Sequence, residues 1–154
     1  MKLARVGIIA AAILAVATVA FAQKPSFAGT WTPDIPADAP AGGGGGRGGM
    51  MGPMTVTQTG DTLTIERTMG ENKVVSTYKL DGSENAFKRM GRGGEVEVKA
   101  TAKWDGNKLV ITEKAPGRGG EMQETTQTWT LDGGVLSIER TTGMGPVTIK
   151  YKKG

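Results

Sequence analysis

Arg67, Glu113 and Arg140 stand at matching places in three segments of the chain. Each lies two residues beyond a Leu-x-Ile pair, at 63–65, 109–111 and 136–138. Two guanidiniums and a carboxylate at one level of a scaffold can do two things. Arginine forks bind a carboxylate or phosphate at two points. An arginine beside a glutamate can equally form an ion pair that only ties strands together. The spacing fits both. Catalysis has fewer candidates. The chain contains no histidine and no cysteine, which removes the imidazole base, the thiolate nucleophile and the commonest metal ligands. After residue 22 the serines are Ser26, Ser76, Ser83 and Ser137, and none sits in a nucleophile elbow. Paired carboxylates could hydrolyse a glycoside, but most acids fall in turns or on outward faces. The residues point away from an enzyme and imply neither a cofactor nor a metal.

Side chains like these need a frame, and the alternation of the sequence supplies one. From Glu95 to Trp104, Val96, Val98, Ala100, Ala102 and Trp104 share one face, with Glu95, Glu97, Lys99, Thr101 and Lys103 on the other. Period two of this kind is a strand with one buried and one wet face. The segments 56–68, 101–114 and 128–141 repeat one plan: strand, tight turn on Gly-Asp, Asp-Gly-Asn or Asp-Gly-Gly, then a strand of form Leu-x-Ile. A partial copy covers 76–85. These turn residues suit short hairpins. The spacing predicts strands near 27–32, 54–59, 62–68, 73–80, 86–90, 95–104, 108–114, 121–131, 135–142 and 146–152. The expected fold is all-β, an antiparallel up-and-down meander of eight to ten strands. Closing it as a barrel removes the exposed edges of an open sheet.

The connections fall into two populations. Tight turns surround Asp61, Asp81, Asp105 and Asp132, while 42–53, 69–72, 91–94, 115–121 and 143–146 are looser and glycine-rich. In a meander alternate connections share an end, so Arg47, Arg92 and Arg118 would gather on one rim. Counting by twos, the interior is apolar near the tight turns and polar toward the glycine-rich end. Leu131, Trp129, Gln127 and Thr125 show the same gradient as the three Leu-x-Ile strands. An apolar floor with a few converging polar groups is how small-ligand barrels are built. The run at 41–52 reads as a flexible connection, with Met50, Met51 and nearby Met54 as a soft lid. Its Arg-Gly pattern is similar to RNA-binding segments. No Gly-Lys-Ser/Thr ending or strand-to-helix junction accompanies it, and no nucleic-acid partner is expected.

Residues 1–22 have the build of a cleavable export signal. Lys2 and Arg5 precede an uncharged run from Val6 to Val19, and Ala20-Phe21-Ala22 offers small residues for cleavage before Gln23. The run is shorter than the ~20 residues of a spanning helix, so no stable membrane insertion is expected after cleavage. Removing it leaves 17 basic and 15 acidic residues (19 less 2, and 15 less none), a net charge of +2. Nothing in that balance demands an anionic partner. The expected location is the periplasm or the medium. The expected organisation is a leader at 1–22, then an N-terminal strand and flexible loop at 23–53. A meander at 54–154 would complete one barrel together with 26–32.

At Phe27-Ala28-Gly29-Thr30-Trp31-Thr32 the chain resembles the first strand of lipocalins and their calycin relatives, whose barrels open with Gly-x-Trp, here Gly29-Thr30-Trp31. The whole chain resembles the small secreted bacterial proteins described as lipocalin-like. The resemblance implies a barrel that binds a small hydrophobic ligand, with Gly29 and Trp31 as structural residues. It implies that segment 33–53 crosses the open end. It also implies a late-strand arginine over Trp31, for which Arg140 is the counterpart. An Arg140 so placed could not also anchor a ligand.

These readings lead to non-catalytic binding of a small hydrophobic or amphipathic molecule. Tyr78, Trp104 and Trp129 would form the apolar wall. Arg67 and Arg140 would anchor an acidic head group, with Gln127 and Glu113 beside them. The alternative is a structural or protein-interaction domain with a solid core. The two differ in whether the interior is hollow, and the small inward residues Ser76, Ala100, Ala102 and Thr125 lean toward hollow.

Overall fold

The computed structural model describes residues 23–34, 52–91, 93–117, 119–142 and 145–154. The expected leader, most of the glycine-rich loop with Met50 and Met51, and Arg47, Arg92 and Arg118 lie outside the described residues. Among these residues ten strands form one antiparallel sheet: β1 Gly29–Pro33, β2 Met54–Gln58, β3 Thr62–Met69, β4 Asn72–Lys79, β5 Asn85–Gly91, β6 Gly94–Asp105, β7 Lys108–Pro116, β8 Met122–Asp132, β9 Val135–Thr142 and β10 Gly145–Lys153. The strand order is β4-β3-β2-β1-β10-β9-β8-β7-β6-β5, a meander rolled until β1 meets β10. No helix occurs among the described residues. The result is the expected up-and-down barrel, nearly closed.

Turn chemistry sets the register. Asp132 pairs with Val135, leaving Gly133-Gly134 as a two-residue loop with φ of 55° and 81°. Two positive φ values in succession define the hairpin turn whose twist matches its strands, and glycine adopts them without steric cost. Alternation then carries Leu136 and Ile138 inward opposite Leu131 and Trp129. Met54, expected in a lid, lies in β2 and is 2% exposed. The same alternation that buries Val56 buries Met54, so it belongs to the wall. Gly29 has a φ of 140°, a conformation that disfavours any side chain, and opens β1 as the Gly-x-Trp motif implies.

The core concentrates at the tight-turn end. Phe27, Trp129, Leu63, Leu109 and Leu136 are fully buried there, with Trp31 and Tyr151 at 1%. Each such side chain contributes about 1.5–3 kcal/mol relative to exposure, which lets the domain hold without a disulfide. Phe27 precedes β1 and is pinned on both sides. Its N–H donates to Gln58 Oε1 at 2.8 Å, and its carbonyl accepts from Trp31 Nε1 at 2.8 Å.

Closure fails at one place. No ladder joins β4 to β5, the two ends of the sheet. Asn85 bridges them instead: its Nδ2 donates to the Thr77 carbonyl at 2.7 Å and its Oδ1 accepts from the Lys79 N–H at 3.2 Å. Inside, the rings of Tyr78 and Phe87 meet edge to face at 5.4 Å. Lys73 and Lys79 on β4 and Lys88 on β5 are exposed along this seam, where charge discourages pairing with another strand.

Candidate functional site

Odd-numbered strands β3, β5, β7 and β9 all run from the tight-turn end toward the glycine-rich end. An inward residue late in each therefore reaches the same level. Arg67, Glu113 and Arg140 are each the sixth residue of their strand, and Arg89 is the fifth of β5. Register fixes their neighbours: Arg67 faces Met54 and Val74, Arg89 faces Val96, Glu113 faces Ala100 and Thr125, and Arg140 faces Gln127 and Val147. Three guanidiniums and one carboxylate meet at this level.

Glu113 is the hub. At 2% exposure it accepts a hydrogen bond from the Tyr78 hydroxyl on Oε1. Arg89 Nη1 reaches its Oε2 at 3.2 Å and its Oε1 at 3.5 Å. Arg67 is held differently. Its Nη2 donates to Met54 Sδ at 3.3 Å, a weak acceptor, and its buried Nε has no hydrogen-bond partner among the described residues. Arg140 lies within electrostatic reach of Glu113, Arg89, Arg67 and Tyr78. Burial pulls its guanidinium below the ordinary arginine range, Glu113 opposes that shift, and Arg89 and Arg67 add to it. Among the described residues no three Asp or Glu side chains stand grouped so that they could hold a metal ion.

The expected apolar wall is sited lower. Trp129 is fully buried, and its Nε1 donates to Gln127 Oε1 at 3.2 Å, so Gln127 links floor to polar level. Trp104 is half-buried and stacks on Phe27 with centroids 5.8 Å apart, while Trp129 meets the same ring edge-on at 5.6 Å. The chain's own Phe27 thus occupies the space between the two tryptophans. Lys24 Nζ stands 5.5 Å from the Trp104 ring. Tyr78 belongs to the polar hub through its hydroxyl and to the seam through its ring. A cation does stand over Trp31: Lys153 Nζ lies 5.8 Å from the ring centre.

Arg89 is the member that sequence reading missed. In Ala86-Phe87-Lys88-Arg89-Met90 a single aromatic marks the inward face, and period two from Phe87 puts Arg89 on that same face. The partner strand gives the same signal. A hairpin turning at 91–94 pairs Arg89 with Val96, whose alternation with Val98 points inward.

Burial pushes the Tyr78 hydroxyl far above the ordinary phenol range, with the charge of Glu113 and their hydrogen bond adding to it. Burial also raises Tyr151, against the opposing charge of Arg67. A folded-state pKa raised above the unfolded value gives stability that is complete below the latter and lost above it, here from about pH 10. The urea midpoint of unfolding is expected to stay level from about pH 7 to 9 and to fall above about pH 10. Tyr78→Phe should lower the midpoint overall yet flatten that fall. An alkaline slope unchanged in the variant would place its cause elsewhere.

No protein-family model matches the chain, and no curated protein matches it. Solved structures that share its fold include a point mutant of the fluorescent protein UnaG, at 22% identity and TM-score 0.55, covering 83% of this chain and 96% of that one. Human cRBP IV aligns at 17% identity and TM-score 0.57, over 84% of this chain and 99% of that one. The REP1-NXSQ fatty acid transporter aligns at 18% and 0.57, over 82% and 95%. The chain has a lipocalin-like, calycin-type barrel.

Proposed function

We propose that the protein is a non-catalytic carrier for a small amphipathic molecule with an anionic head group. One observation carries the reading. Inside the barrel, at one level, the described residues place the guanidiniums of Arg67, Arg89 and Arg140 against the single carboxylate of Glu113. Buried charge is costly unless balanced, and Arg67 spends a hydrogen bond on a thioether while its Nε has none. An anionic head offers both acceptors and charge. The apolar part would lie between this level and Phe27, along Ile65, Ile111 and Ile138, which are buried. The likeness to a protein named as a fatty acid transporter supports the same class of ligand. With residues 1–22 acting as an export signal, the carrier would work in the periplasm or outside the cell.

Titration with dansyl-undecanoic acid, followed through tryptophan emission, tests this. Saturable quenching is expected. Arg67→Ala and Arg140→Ala should each weaken binding by about tenfold or more, the worth of one charge-assisted hydrogen bond. If the wild type shows no saturable binding, the solid-core interaction domain becomes the better reading. If it binds and both variants bind equally well, the head group sits elsewhere.

A further inference from the structure

Glu113 is an odd residue to find in a site for anions. Among the described residues it is the one carboxylate facing the barrel interior, 2% exposed, and it is engaged by Tyr78 and Arg89. A glutamine would still accept from the Tyr78 hydroxyl. What only a carboxylate adds is charge. It neutralises Arg89 and lowers the positive potential of the level where Arg67 and Arg140 stand. Repulsion between that charge and a bound anion grows in proportion to the ligand's own charge. A singly charged head pays it once and a doubly charged head twice.

On the reading of this level as an anionic head-group site, we propose that Glu113 is its specificity-determining residue. It engages Arg89 through Nη1 and sets the barrel for singly charged head groups, such as a carboxylate, against doubly charged ones, such as a phosphate monoester. Two devices act together. A phosphate monoester, with a third terminal oxygen, can use a further arginine, and the one on β5 already donates Nη1 to Glu113 at 3.2 Å. The carboxylate itself also repels the second charge. Nearby Tyr78 stays neutral, since burial holds its proton, so it does not compete in this balance.

The test compares two probes that share one chain: dansyl-undecanoic acid and dansyl-undecyl phosphate, at about pH 8, where the phosphate carries close to two charges. The wild type should bind the acid more tightly. Glu113→Gln should tighten the acid by about tenfold and the phosphate by about a hundredfold, moving their ratio by about ten. A change that only loosens or reshapes the barrel moves both probes by the same factor. Arg89→Gln gives the mirror result, because it leaves Glu113 uncompensated: the phosphate should weaken more than the acid. Its side chain is 21% exposed, so this second variant decides the matter if Glu113→Gln does not fold. A wild type that already prefers the phosphate, or a ratio that neither variant moves, overturns the role of Glu113 and leaves the carrier reading standing. A wild type that binds neither probe overturns both.

Discussion

Phe27→Ala is expected to destabilise the protein by about 3–5 kcal/mol, the usual cost of emptying a buried phenylalanine site. For a domain of this size that lowers Tm by about 10–20 °C. The size of the effect follows from what the ring touches. It is fully buried, stacked on Trp104 at 5.8 Å and edge-on to Trp129 at 5.6 Å. Each aromatic pair adds about 0.5–1.5 kcal/mol beyond area burial. The site has little freedom to collapse, because its backbone is pinned through Gln58 and Trp31 and its neighbours are wall residues of the sheet. Phe27→Leu should recover more than half of the loss. Thermal melts followed by far-UV circular dichroism and by tryptophan emission would show it, the second reporting the Trp104 and Trp129 environment directly. A loss below about 1 kcal/mol would mean that the segment before β1 is not part of the core.

Phe27 also shows where sequence reading stops. Alternation is a property of a strand, and it located all ten, including β5 with its one aromatic, because turn residues bracket each run. It placed Arg67, Glu113 and Arg140 at one level because the Leu-x-Ile plan repeats. Alternation puts Phe27 at the head of a strand near 27–32, on the face of Trp31, whereas β1 begins at Gly29, and no period marks its ring as the filler between two tryptophans. Trp104 was rightly counted onto the inward face, yet what it faces is that ring. Arg89 escaped because its strand carries one apolar marker, Phe87, and only that residue and the partner Val96 place the arginine inward. The seam escaped for a different reason. Whether β4 and β5 share a ladder depends on the curvature summed over ten strands, which no local pattern encodes.

That seam makes Glu113→Ala the second large effect. Glu113 on β7 holds one residue from each unladdered edge, Tyr78 on β4 and Arg89 on β5. Removing the carboxylate leaves the Tyr78 hydroxyl buried without its acceptor and Arg89 without its counter-ion. Breaking a fully buried pair costs about 3–5 kcal/mol. Arg89 is 21% exposed, so water offsets part of this and about 2–4 kcal/mol is expected. Glu113→Gln keeps an acceptor for Tyr78 and should cost less than half as much. Adding Arg89→Met to Glu113→Ala should cost less than the two separate losses combined, since the second change removes the cation the first left stranded. The damage should also be local. Asn85 still ties the seam near Thr77 and Lys79 and the Tyr78 and Phe87 rings still meet, but beyond them β4 and β5 would be held by their outer partners, β3 and β6. Amide exchange should therefore quicken most from Asn72 to Ser76 and from Lys88 to Gly91, and least in β8 and β9, which are laddered on both sides. Uniform acceleration across all ten strands would mean instead that Glu113 supports the barrel as a whole, and that β4 and β5 open no more readily than the rest.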